Sequence, residues 1–249
     1  MLAALGRLFL CVALTLAMSS AKLQANQIDE TQVGAWYMFF FGKDFSSNRF
    51  GFQGDLQYRT WNGGSDLEQL LLRGGVTYRP EGLAGKYTIG LANITSGQVG
   101  SSKKTLTENR AYQEALIPQN VGRRTFLKHR LRLEQRWING QDFRTRLRYA
   151  LFVNIPLNRP SLSNGAWYLA LYNEIFINGE RDIGSSRNVD FFDRNRFYAA
   201  LGYKFSDAGQ FQVGFMQQRT DAVSKGQLQA SVHYDGQWRS SGRVATPRV

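Results

Sequence analysis

Between Gly34 and Tyr234 apolar and polar side chains alternate at a period of two, and the alternation is renewed after every short break. The segment HRLRLEQRW, His129 to Trp137, sets Leu131, Leu133 and Trp137 on one parity against Arg130, Arg132, Glu134 and Arg136 on the other. FRTRLRYALFVNIP repeats it, with Phe143, Leu147, Tyr149, Leu151, Val153 and Ile155 against Arg144, Arg146, Arg148 and Asn154. RFGFQGDLQYRTW and LLLRGGVTYRP follow the same rule. Successive side chains of a strand point to opposite sides, so this pattern predicts strands whose two faces meet different surroundings.

Eleven such segments are expected, near 34–41, 48–60, 68–79, 86–95, 108–117, 125–138, 142–155, 166–177, 193–205, 209–219 and 226–235. Their spacing of about 20 residues suits a meander of ~10-residue strands. RPEGLAGK, NGQD, NRPSLSNG, SDAG and DAVSKG separate them with the Gly, Asn, Asp, Ser and Pro that chain reversals need. The two longest connections, after Ile94 and after Ile177, fall on one side by parity, as external loops of a membrane barrel would; the short NGQD turn breaks the rule. The expected architecture is therefore all-β: an antiparallel up-and-down transmembrane barrel of 10 to 12 strands. Both termini on the periplasmic side require an even count, which places a twelfth strand near Gln27 to Val33.

Alternation alone does not say which face meets water. In a soluble sandwich or lipocalin-like barrel the arginines would be outside, and in an outer-membrane barrel they would line the lumen. The N-terminus bears on the choice. Arg7 precedes an apolar run from Leu8 to Met18 and then the small residues Ser19 and Ala21, the pattern of a secretory leader over residues 1–25, cleaved after Ala21 or Ala25. That run is too short to span a bilayer as a helix. The one cysteine, Cys11, lies in the leader, so the mature chain has no thiol chemistry and no disulfide. Aromatics near strand ends, Tyr58, Trp61, Tyr78, Trp137 and Trp167, suit interfacial girdles. The domains expected are the leader, an outer-membrane barrel over 26–238 and a tail over 239–249. The net charge of +12 would otherwise point to nucleic acid; export redirects it to anionic lipid, anionic solutes or internal pairing.

The blocks ENRAYQE, HRLRLEQRW, FRTRLRYAL, WYLALYNEIFIN, DRNRFYAALGYKFS and FQVGFMQQR, in this order, resemble the bacterial family catalogued as domain of unknown function 2490 (DUF2490), over about Trp36 to Tyr234. The resemblance implies a leader-bearing outer-membrane β-barrel of Gram-negative bacteria and brings no activity with it. The chain departs from the habit of membrane barrels of ending on an aromatic: RSSGRVATPRV follows Trp238.

The candidate site is a basic ladder on two strands that the NGQD turn should pair: Lys128, Arg130, Arg132, Arg136, Arg144, Arg146 and Arg148. Parity puts Glu114, Glu134 and Glu174 on the same inner side, with Asp55 and Asp235, together with the further cations Arg59, Arg73, Arg110, Arg194 and Arg196. Three readings stay open. A salt-bridge lattice could fill a narrow barrel; a lumen with a positive field could admit small acidic solutes; arginines at a rim could bind lipopolysaccharide phosphates. Outer-membrane lipid and the assembly machinery are expected partners, nucleic acid is not, and the barrel is expected to be a monomer without metal or cofactor. No enzyme is expected. Ser231, His233 and Asp235 project in a row and imitate a nucleophile, base and orienting acid, but an inward polar strand supplies the same residue types without chemistry. His129 shares the apolar parity of Leu131 and belongs at a lipid interface.

Overall fold

The computed structural model describes residues 30–45, 49–100 and 102–237. The expected leader and C-terminal tail lie outside them. Eleven strands run in order: β1 (Gly34–Asp44), β2 (Phe50–Asn62), β3 (Ser65–Tyr78), β4 (Lys86–Gly97), β5 (Thr105–Val121), β6 (Thr125–Ile138), β7 (Arg144–Pro156), β8 (Trp167–Asn178), β9 (Phe192–Lys204), β10 (Gly209–Arg219) and β11 (Ser224–Gln237). Each pairs antiparallel with its neighbour in sequence, and β1 pairs with β11 to close the ring. Among the described residues no helix is long and apolar enough to cross a membrane, which leaves strands as the only elements that could.

The closing seam corrects the expected count. β1 and β11 pair in parallel, from Gly34 opposite Gln227 to Asp44 opposite Gln237. Both edges thereby gain a full ladder of hydrogen bonds, slanted as in any parallel pair, and no twelfth strand is needed to satisfy them. Of the segment assigned to that strand, Gln27 to Asp29 lie outside the described residues and 30–33 is turn and irregular chain. An odd ring also overturns the expectation that the barrel begins and ends on one side: Gly34 and Gln237 sit at opposite rims. Loop asymmetry is weaker than expected too, because the long 179–191 connection at one rim is balanced by 157–166 at the other.

The two faces sort as the alternation demands. Leu56, Leu72, Val76, Ile89, Leu91, Leu147, Leu201 and Val213 are exposed on the outside, while arginines, glutamates and glutamines are buried within. This is the reverse of a water-soluble barrel, in which the apolar face would be the enclosed one. Trp167, Tyr203 and Phe211 form an aromatic cluster, and Trp137 packs on Phe143 with ring centres 5.4 Å apart. Trp61 is not part of this outer set: its indole nitrogen is buried and Lys225 Nζ lies 5.8 Å from its ring.

Two interior tyrosines lie over glycines directly across a strand pair. Gly90 is opposite Tyr112 and Gly202 opposite Tyr168. A Cβ at Gly90 would stand 2.5 Å from the Tyr112 hydroxyl, and one at Gly202 would stand 2.2 Å from the Tyr168 ring. The missing side chains make the room in which these rings lie against the inner wall.

Candidate functional site: the basic lumen

The seven ladder residues lie on β6 and β7 and share the inner face, as their parity requires. Register sets Arg136 opposite Arg144, Glu134 opposite Arg146 and Arg132 opposite Arg148. Like charges placed directly opposite repel, and the carboxylates are arranged to offset this. Glu134, 1% exposed, receives Arg148 Nη1 at 2.6 Å and Arg146 Nη2 at 2.7 Å, with Arg110 at 3.6 Å and Arg132 at 3.8 Å. Glu174 binds Arg130 at 2.6 Å and Arg148 at 2.7 Å, so Arg148 bridges two acids. Glu114 pairs with Arg132 and accepts from Gln53 Nε2 at 2.8 Å. The three expected lumen acids are thus brought onto the ladder.

Three acids were not anticipated. Glu108 at the end of the ladder holds Arg110 at 2.6 Å and Arg136 at 2.5 Å, and its even numbering with Glu114 could have revealed it. Glu68 and Asp193 could not be found by counting in twos. Pairing steps from Gln69 to Leu67 between Arg59 and Thr60, and from Arg194 to Phe192 between Phe176 and Ile177, leaving each acid as the extra residue of a bulge. A bulge shifts the phase of the alternation. Glu68 is buried and accepts from Trp36 Nε1 at 2.8 Å. Asp193 pairs with Arg146 at 2.8 Å and with Arg194 at 3.1 Å. Asp55, as expected, takes Arg73 at 2.7 Å, whereas Asp235 is exposed at the rim.

Aromatic faces carry part of the remaining charge. Arg59 lies 3.8 Å and Arg196 4.9 Å from the ring centre of Trp36; Arg196 and Arg148 lie 4.7 and 4.4 Å from that of Phe176. The succession Arg59, Trp36, Arg196, Phe176, Arg148 reaches from β2 to β7 across the interior. Arg73 and Arg132 flank Tyr112 in the same manner. Cation–π contacts of this kind stabilise a desolvated guanidinium without neutralising it.

Within this frame is a cavity of about 280 Å³, lined by Arg59, Arg73, Arg110, Lys128, Arg130, Arg136, Arg144, Arg146, Arg148, Arg194 and Arg196 against only two carboxylates, Glu108 and Glu174. Seven of these eleven cations are ion-paired: Arg73, Arg110, Arg130, Arg136, Arg146, Arg148 and Arg194. Glu134, Glu114 and Asp55 are not among the lining residues and offset part of the wall's charge from behind, while the cavity surface itself remains predominantly cationic.

Of the residues weighed for chemistry, Ser231 and His233 meet and the others lie apart from them. Ser231 Oγ is 3.0 Å from His233 Nε2, and the His233 ring stacks on Phe40 at 4.6 Å. Among the described residues Asp235 makes no hydrogen bond to His233, so the orienting acid of a triad is missing from the row. His129 bonds the Tyr149 hydroxyl and Gln119 Oε1, each at 2.9 Å, away from the lumen wall. No cluster among the described residues could hold a metal ion.

A family model described as protein of unknown function (DUF2490) matches residues 33–229. No curated protein matches. No solved structure matches.

Proposed function

On the premise that the chain belongs to the DUF2490 family, whose description assigns no role, we propose that it is an outer-membrane barrel with a narrow, anion-preferring lumen that conducts or binds small acidic solutes. The observation that carries this is the cavity wall, eleven cations against two carboxylates. A charged channel bounded by low-dielectric walls concentrates counter-ions, and guanidinium forks match carboxylate and phosphate oxygens in geometry. The membrane location is supported by the inverted faces, apolar outside and charged inside, and by the leader-like N-terminus. Lipid, lipopolysaccharide and the assembly machinery are then its partners, and it acts as a monomer without cofactor. Ser231 and His233 serve as polar lining rather than as nucleophile and base.

The test is the zero-current potential of the refolded protein in a planar bilayer under a salt gradient. Discrete steps with a potential on the anion side are expected. Cation preference would overturn the reading. The transverse succession of arginines and aromatics favours one rival, a non-conducting barrel that stiffens the envelope. A silent bilayer from protein shown to be folded, with no binding of phosphate or succinate in detergent, would replace the first reading by that one.

A further inference from the structure

The cations that line the cavity divide into two chemically distinct sets, and only one is available to a ligand. Across β5, β6 and β7 the register places Arg110 opposite Arg136 and Arg136 opposite Arg144, three guanidiniums in a row. The single carboxylate among them, Glu108, binds the first two. Arg144 is left over: it is 7% exposed, and its Nε is buried without a hydrogen-bond partner. Arg196 lies directly opposite Glu174, yet that carboxylate is held by Arg130 and Arg148, and Arg196 donates to the neutral Gln218 at 2.9 Å. Arg59 donates to Gln57 and Gln69, also neutral. Lys128 reaches no carboxylate and lies 5.1 Å from the ring of Phe152. All four line the same cavity.

We infer that Arg59, Lys128, Arg144 and Arg196 are the oxyanion-contacting residues of this lumen, and that the carboxylate-held arginines are its wall. The inference rests on the anion-preferring reading above and refines it. An arginine already chelating a glutamate has its fork occupied, and a ligand would have to displace a buried ion pair to use it. The four acid-free cations carry no such obstacle; Arg59, Arg144 and Arg196 are buried, and a buried cation without a counter-ion is stabilised by any anion that reaches it.

Their placement also specifies the ligand. Arg144 is at the level of Arg136, and Lys128 is eight residues further along β6, about 27 Å of strand. Arg59 and Arg196, which share the Trp36 ring, are a separate pair. The sites therefore form a series along the barrel rather than one chelating cup. A cavity of about 280 Å³ admits small molecules only. The chemical class is a compact oxyanion, a phosphate or a short carboxylate, passed or held between successive cations.

The experiment measures block of chloride current by inorganic phosphate, and by succinate as the carboxylate probe, in wild type and in the triple variant R144Q/R196Q/K128Q. The half-blocking concentration is expected to rise at least tenfold in the variant, with a shift of the zero-current potential toward neutrality. An anion-selective, blockable wild type and a triple variant with unchanged block would overturn this inference and leave the anion-preferring reading intact. A cation-selective wild type would sink that reading, and this inference with it. If the triple variant does not fold, the single variant K128Q decides, since Lys128 is the exposed member of the set; calorimetric titration of phosphate into the detergent-solubilised barrel supplies the same comparison without requiring conduction. Unchanged phosphate affinity in K128Q would remove Lys128 from the set and refute it as stated.

Discussion

Replacing Glu134 by Gln removes the charge on which the inner lattice converges. The carboxylate is 1% exposed, with two arginines in contact and two more within 4 Å. Breaking a buried ion pair by deleting one partner costs about 3–5 kcal/mol when the other charge is stranded. Here Arg146 keeps Asp193 at 2.8 Å, Arg148 keeps Glu174 at 2.7 Å and Arg110 keeps Glu108 at 2.6 Å. No arginine is wholly stranded, so the loss should fall near the lower bound, about 3 kcal/mol, or a hundredfold and more in the unfolding constant. The assay is urea unfolding of barrel refolded into phospholipid vesicles, followed by tryptophan fluorescence and by heat-dependent gel mobility. A change below about 1 kcal/mol would refute the argument, because it would mean that lumen water screens the pair as it does at an open surface. The double variant E134Q/R146Q extends the test: contact predicts a coupling of about 0.5–3 kcal/mol, and additivity would deny it.

Leu91→Arg, on the outer face at mid-β4, should reduce stability in lipid by about 2–4 kcal/mol, as a charge facing hydrocarbon does; an unaffected variant would show that this face meets water. Gly202→Ala should cost about 1–3 kcal/mol by overpacking against Tyr168, measured in the same urea titration, and Gly63→Ala, where a Cβ meets open space, should be near neutral. Glu180 accepts bonds from the backbone N–H and the hydroxyl of Thr145, which hold its carboxyl below the usual range. A depressed folded value means the contribution is present above the unfolded pKa and lost as pH falls through the folded one, so the protection of the Thr145 amide against exchange should fall only once the pH drops below the ordinary glutamate range, and Glu180→Gln should abolish that dependence.

All eleven strands were legible because a barrel wall has two unlike sides along its whole length. For β6 and β10 even the boundaries, 125–138 and 209–219, coincide with the segments expected from alternation. Closure was not legible. Which strand meets β1 depends on the circumference of the ring, and nothing in the residues near Gln27 distinguishes another strand from the end of the meander. In the lumen, Glu114, Glu134 and Glu174 share the even parity of the ladder arginines with which they pair, yet Glu68 and Asp193 enter through bulges that break the count. Nor could parity divide the arginines by partner. Arg144 and Arg146 are two residues apart on one face, and only the angular reach of neighbouring glutamates separates the one that is held from the one that is not.

The parallel seam has a topological consequence. With β1 and β11 running the same way, a chain that enters the wall at one rim leaves it at the other. In a sealed vesicle with uniformly oriented barrels, a protease added outside would reach an epitope joined before Gly34 or one joined after Gln237, never both. On the membrane placement proposed above, the two ends of the wall then face opposite sides of the bilayer.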